Sequence, residues 1–301
     1  MSSFLIARIF NLAACLPLSV LHRLGSAAGW ATYLLSDKYA ARLRENLGYG
    51  LEGHPATEFR KVLNANIAET GKSLTEVPWV WCRPLTEVTG SVRACHGWEY
   101  VEAARSKGRG IIFLTPHLGC FEVSALYAAE RMPITILYRP PKLIWLEGVM
   151  RKGRERGQLR LARTDVGGVR LLFKALKRGE AIGLLPDQVP GNGEGEWANF
   201  FGHPAYTMTL VGRLVESSGA VMLMAYAERL PNGAGYVIRI APLEFSRGLS
   251  VTGQMNAALE AVVRACPAQY LWSYNRYKTP KGMGSQESGI RNQESGMGNG
   301  N

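Results

Sequence analysis

From about residue 110 onward the chain alternates short apolar runs with amphipathic stretches, and this pattern limits its fold more than any other feature. Segment 110–114 (GIIFL) carries no charge and is bounded by Arg109 and Thr115, as expected of a strand buried on both faces. Runs of the same kind recur at 134–138 (ITILY), 181–185 (AIGLL), 220–227 and 236–240, with a weaker one at 159–162. Between them, helical spacing predicts helices over 119–130, 142–156, 169–177 and 207–217, and a last one over 250–265. Upstream, 88–92 reads as a strand and 97–107 as a helix. Strands separated by helices predict an α/β fold with a mostly parallel central sheet flanked by helices. Segment 186–205, with four glycines and three prolines, reads as a long loop.

The first third has a different texture. Segments 37–48 and 57–77 have helical spacing, and the first opens behind Ser36 and Asp37, both good caps. Residues 3–35 are mostly apolar but interrupted by Arg8, His22 and Arg23. The 13 uncharged residues between Arg8 and His22 fall short of the roughly 20 that a straight span needs. The reading preferred is an uncleaved, helical membrane-anchoring region, either a short tilted span or an interfacial helix pair broken at Pro17; a helix pair buried in the core is the alternative. The chain thus divides into an apolar anchor (1–36), a helical region (37–83), an α/β catalytic domain (84–280) and a Gly/Ser/Gln/Asn-rich tail (281–301) with the composition of disorder.

Net charge is +11, and residues 131–180 hold 13 Lys/Arg against 4 Asp/Glu. Such a stretch suits an anionic lipid, an acidic protein or a solvated face. Nucleic acid is a poor match, because aromatics are sparse there and no reading motif is present. The five cysteines form no CxxC pair, and neither a disulfide framework nor a metal site is expected.

The chemistry concentrates at 110–124 (GIIFLTPHLGCFEVS). A buried strand runs into Thr115-Pro116-His117 and a helix begins just after, which places His117 at the carboxyl edge of the sheet, where α/β enzymes gather their catalysts. Glu122 follows five residues later. On one continuous helix the two side chains would sit about 140° apart, so they meet only if His117 lies on a turn folded back over the helix start. Pro116 and Gly119 permit such a turn. A carboxylate on one ring nitrogen would fix the tautomer and leave the other as a base, with Tyr39, Tyr138 or another group as alternative orienters. No G-x-S-x-G is present. Cys120 invites a Cys–His nucleophile reading; otherwise His117 activates a substrate hydroxyl or water. Gly71-Lys72-Ser73 resembles the end of a P-loop, but Asn66 replaces the required first glycine and the segment reads as helix.

HLGCFE (117–122) has the H-x4-D/E form of glycerolipid acyltransferases. Together with YRPP (138–141), LLPDQ (184–188), NFFGHPAYT (199–207), WSYNRYK (272–278) and R-x-R-E-N-L (42–47), the chain up to about residue 280 resembles the late acyltransferases of lipid A biosynthesis. The resemblance implies an acyl-carrier-protein or CoA thioester as co-substrate, no cofactor, and a phosphorylated lipid A precursor as acceptor at the cytoplasmic face of a bacterial inner membrane. It implies His117 as general base with Glu122 orienting it. Substrate-binding roles carry over to Arg139, to Asp187 and Gln188, and to Arg276, the matching cation in a terminal block that departs from the family's richer cation run. Phe200 and Phe201 fall where the acyl channel or ordinary core is expected. Acylation of another anionic lipid, or lipid ester hydrolysis, remains compatible with the same residues.

Overall fold

A computed structural model describes residues 3–283. The tail expected from 281 lies outside the described residues from 284 onward. The chain opens with α1 (Ser3–Ala14), α2 (Leu18–Leu35), α3 (Asp37–Gly50), α4 (Ala56–Thr75), and two short helices, α5 (Val77–Cys82) and α6 (Leu85–Gly90). Strands and helices then alternate: β1 (Val92–His96), α7 (Trp98–Ser106), β2 (Ile111–Leu114), α8 (Phe121–Arg131), β3 (Ile134–Tyr138), α9 (Ile144–Arg154), β4 (Leu159–Arg163), α10 (Val166–Lys177) and β5 (Ala181–Leu184). A hairpin follows, β6 (Gly195–Phe200) and β7 (His203–Met208), then α11 (Leu210–Ser218), β8 (Val221–Arg229), β9 (Tyr236–Leu243) and α12 (Val251–Ala265).

Seven strands form one sheet in the order β1-β9-β8-β2-β5-β3-β4, parallel throughout except for the β8–β9 pair. The mostly parallel sheet flanked by helices is thus as the alternation predicts. The two central strands are buried along their whole length. Their side chains divide by the period of two: Ile112 and Leu114 pack on the face that meets α3 and α4, whereas Ile111 and Phe113 pack on the face that meets α8.

Two expectations fail for local reasons. The β-branched residues of 88–92 suggest a strand, but Pro84 opens and Gly90 ends the short helix α6, and the strand is the following VRACH. The hairpin begins inside the supposed loop 186–205 and runs on to Met208. Its two-residue turn places Phe201 at φ 49° and Gly202 at φ 76°, the positive pair that tight hairpins favour. Phe201 tolerates this because its ring is buried against Trp272 and beneath the Arg264 guanidinium.

Gly71-Lys72-Ser73 lies inside α4, as its helical reading requires. A Cβ on Gly71 would stand 1.9 Å from Gly25 O, and one on Gly29 would stand 2.2 Å from Ile67 O, so α2 and α4 cross backbone to backbone. The buried side of α2 carries Leu18, Leu21, His22, Gly25 and Gly29. Its other side leaves Leu24, Leu34 and Leu35 exposed. Among the described residues no single helix is long and apolar enough to cross a membrane; Arg8–Ala14 and Leu18–Leu35 reach that length only together, and they are bent by 115°.

Candidate active site

β2 and β5 are parallel neighbours with Leu114 opposite Leu184, and the Thr115 N–H donates to Leu184 O at 2.9 Å. His117 and Asp187 each lie three residues beyond that pair and leave the same sheet edge. Asp187 holds the histidine twice: the His117 main-chain N–H donates to Oδ2 at 2.8 Å, and ring Nδ1 lies 2.8 Å from Oδ1. A carboxylate only accepts, so Nδ1 carries the proton and Nε2 keeps its lone pair. The Gln188 amide nitrogen sits 3.1 Å from that Nε2. Burial alone would raise the Asp187 pKa, but the electrostatic influence of His117 and its two hydrogen bonds outweigh it and hold the carboxyl below its usual range.

The expected His117–Glu122 contact is not formed. Glu122 is the second residue of α8, and its carboxylate turns away to the Arg154 guanidinium at the end of α9, with Nε at 2.9 and 3.0 Å from the two oxygens and Nη2 also bonded. The ring is held from the neighbouring strand, not from its own helix. Tyr138 donates to Glu147 and Tyr39 lies near Thr70 and Ser273, so neither tyrosine serves as the orienter.

The turn carrying His117 is fixed from behind. Leu271 N–H donates to His117 O, and Gly119 N–H donates to Gln269 O. Gly119 has φ +61°, and a Cβ there would meet Ala227 O at 2.0 Å, so only glycine lets the turn lie against β8. The segment 268–274 behind the turn is clamped by two buried asparagines. Asn46 donates to the carbonyls of Trp272 and Tyr274, and Asn66 to those of Ala268 and Tyr270. Tyr274 Oη in turn accepts from the Val189 N–H, directly after Gln188. The sequence blocks at 42–47, 117–122, 184–188 and 272–278 are therefore one hydrogen-bonded assembly.

His117 borders a cavity of about 1050 Å³. Its inner wall is apolar and buried, built from Phe113, Leu126, Ile134, Leu159, Ala225 and Ile238. Exposed Arg139, Arg170 and Arg213 line it nearer solvent, and the Glu122–Arg154 pair also faces it. The site thus sets the His117 imidazole beside an apolar slot and a rim of arginines, an arrangement that could hold an amphiphilic anion.

Cys120 takes no part in this constellation. It is buried beside Glu76 on the far side of the turn, and burial first and Glu76 second push its thiol pKa well up, against the thiolate a nucleophile needs. Cys120→Ala is expected to keep kcat within about threefold of the parent, since no transition-state contact is removed. A loss of a hundredfold in a folded variant would restore the Cys–His reading.

Residues 1–279 match the family model of bacterial lipid A biosynthesis acyltransferases. The chain belongs to this family. It is 28% identical over 282 residues to the lipid A biosynthesis lauroyltransferase of Escherichia coli (strain K12), covering 90% of each chain. It is 29% identical over 273 residues to the lipid A biosynthesis palmitoleoyltransferase of the same organism, covering 88% of this chain and 87% of the relative. It is 26% identical over 191 residues to that organism's lipid A biosynthesis myristoyltransferase, covering 62% and 58%.

Within this lipid A acyltransferase fold, one residue expected on substrate, Arg276, stands elsewhere, and the Phe pair takes the second of its two readings. The Arg276 guanidinium is buried, with Nη1 donating to Tyr206 O and Nη2 to Thr207 Oγ1, both at 2.7 Å, so it braces β7 and does not border the cavity. Phe200 and Phe201 belong to the core with Tyr270 and Trp272. Arg139, Gln188 and His117 do line the cavity, with Asp187 behind the histidine. Sequence reasoning missed Arg154, Arg170 and Arg213; the first two lie within the basic stretch 131–180, where nothing local separates them from its other cations.

Proposed function

We propose that this chain moves a fatty acyl group from a thioester of acyl carrier protein or CoA to a hydroxyl of a lipid A precursor. The observation that carries the reading is the juxtaposition of the Asp187-held His117 with the apolar inner wall and basic rim of one cavity. That cavity is at the upper end of the roughly 300–1,000 Å³ usual for small-molecule sites, in keeping with a long acyl chain beside a bulky acceptor.

In this mechanism His117 Nε2 takes the proton of the acceptor hydroxyl, and the oxygen attacks the thioester carbonyl carbon. The tetrahedral intermediate collapses as the C–S bond breaks, and the imidazolium returns its proton to the leaving sulfur. Asp187 keeps the Nδ1 proton and stabilises the imidazolium. The guanidinium groups of Arg139, Arg170 and Arg213 make no hydrogen bond or ion pair among the described residues, which leaves them free for the phosphates of the acceptor or an acidic carrier protein. The apolar slot receives the acyl chain, and its depth sets the preferred length.

The donor is tested by supplying matched acyl thioesters of carrier protein and of CoA with a lipid A precursor and measuring ester formation. Transfer from either supports the reading. Free fatty acid with an unchanged acceptor points instead to a hydrolase.

The exposed apolar side of α2 supports seating of the enzyme at the inner membrane's cytoplasmic face. Leu34 and Leu35 are 70% and 86% exposed, free to enter the acyl boundary. The double substitution Leu34→Asp, Leu35→Asp is expected to lower co-flotation with phosphatidylglycerol vesicles about tenfold or more. Unchanged flotation would remove this face from the membrane contact.

A further inference from the structure

The negative charge that develops on the thioester oxygen during acyl transfer needs a hydrogen-bond donor, and in many acyl-transfer enzymes backbone N–H groups beside the catalytic turn supply it. Here the four N–H groups of that turn are already committed. His117 N–H donates to Asp187 Oδ2, Leu118 N–H to Pro116 O, Gly119 N–H to Gln269 O, and Cys120 N–H to Ala227 O. Among the described residues the Gln188 side-chain amide is the one group within hydrogen-bond distance of His117 Nε2, at 3.1 Å. It lines the cavity. The backbone that carries it is pinned on both sides, through Asp187 on His117 and through the Val189 N–H on Tyr274 Oη.

We infer that Gln188 is a catalytic residue whose amide N–H stabilises the oxyanion of the tetrahedral intermediate, an assignment that rests on the acyl-transfer reading above. In the structure this amide donates to the Nε2 lone pair. It stands where the acceptor oxygen must come, because a base works at about 2.6–3.2 Å from the group it deprotonates. When the acceptor hydroxyl takes that place, the amide is displaced by roughly the width of one oxygen and faces the carbonyl oxygen of the thioester. The C–O bond then forms and the carbonyl electron pair moves onto oxygen, held by the amide. The acceptor proton passes to Nε2. As the pair returns, the C–S bond breaks and Nε2 hands the proton to sulfur, while Gln188 itself neither gains nor loses a proton. The same amide thus shields the base at rest and serves the transition state during transfer.

The test compares wild type with Gln188→Ala and Gln188→Glu in steady-state transfer from an acyl-carrier-protein thioester to a lipid A precursor, with thermal melting as the check on folding. Loss of one such donor is expected to lower kcat about 10²–10³-fold. The KM for the donor should stay within about threefold, because the contact exists only in the transition state. Gln188→Glu, which keeps the size but presents only acceptors, should lose at least as much as Gln188→Ala. A folded Gln188→Ala with kcat within about threefold of a working wild type overturns the assignment alone and passes the role to Arg139 or to the first N–H groups of α8, those of Phe121 and Glu122. A rise in KM at unchanged kcat makes Gln188 a binding residue and also overturns it. If the wild type transfers no acyl group from any donor, the acyl-transfer reading fails and this assignment fails with it.

Discussion

His117→Ala is expected to lower kcat/KM for acyl transfer by about 10²–10⁴-fold while leaving the fold intact, because a positioned general base contributes an amount of that order. The fold should survive because the turn is held by its backbone, through His117 O, Gly119 N and Cys120 N, and not by the ring. Asp187→Asn is expected to have an effect approaching that of His117→Ala. The amide can present its NH2 to Nδ1, which reverses the tautomer and puts the proton on the nitrogen that must act as base; in serine proteases the equivalent change costs about 10⁴-fold. Glu122→Gln leaves both hydrogen bonds between His117 and Asp187 in place and acts through Arg154 instead. Proton NMR separates the two carboxylates. The low-field signal of the Nδ1 proton should persist in Glu122→Gln and vanish or shift in Asp187→Asn. The opposite pattern would return the orienting role to Glu122.

The largest stability effect is expected at Glu76, which lies behind the same turn. Its buried carboxylate accepts from Arg229 Nε at 2.9 Å, from Tyr236 Oη at 2.9 Å and shares a hydrogen bond with His22 Nε2 at 3.2 Å. Arg229 also donates to Glu69 at 2.6 Å and to Gly119 O at 3.2 Å, so the cluster ties α2 and α4 to the turn. Burial alone would raise the Glu76 pKa, but Arg229 reverses this and brings it from 4.5 to about 2. A depressed carboxylate pKa gives stability that is complete above the unfolded value and declines as the pH falls through the folded one. The contribution, roughly 3 kcal/mol, should therefore be present at neutral pH and fade between about pH 4.5 and 2. Glu76→Ala leaves Arg229 buried with Glu69 as its remaining carboxylate, and should destabilise the protein by about 3–5 kcal/mol at pH 7. Urea unfolding of the parent and the variant at pH 7 and pH 3 checks both statements. The difference between them should be smaller at pH 3, and an equal difference at both pH values would contradict the linkage.

The fold was legible because its central strands are short, uncharged runs that cannot be satisfied except between covering helices. Segments 110–114 and 181–185 announce themselves this way, and His117 follows from standing at the end of the first. What could not be read was which strands are neighbours. β2 and β5 are separated by two helix–strand units, and only their pairing brings Asp187 beside His117 at an equal offset from Leu114 and Leu184. Chain proximity suggested Glu122, and the helix geometry that makes this pairing difficult was visible but not decisive. Arg276 misled for a related reason. A cation in a block that resembles the family's invites a ligand, but its partners, Tyr206 O and Thr207 Oγ1, come from a hairpin that begins in a segment rich in glycine and proline. The signal for that hairpin was present: two six-residue stretches, GEWANF and HPAYTM, flank a two-residue turn ending in glycine. The buried Glu76–Arg229 cluster left no such trace, since nothing local distinguishes either residue from a surface charge.

The most direct test of the central claim is the mass of a lipid A precursor after incubation with an acyl-carrier-protein thioester and purified enzyme, wild type beside His117→Ala. A precursor heavier by one acyl group with the wild type, and unchanged over the same interval with His117→Ala, is the result expected if His117 activates the acceptor hydroxyl for direct transfer. A precursor acylated equally by both proteins, or never acylated while free fatty acid accumulates, would contradict it.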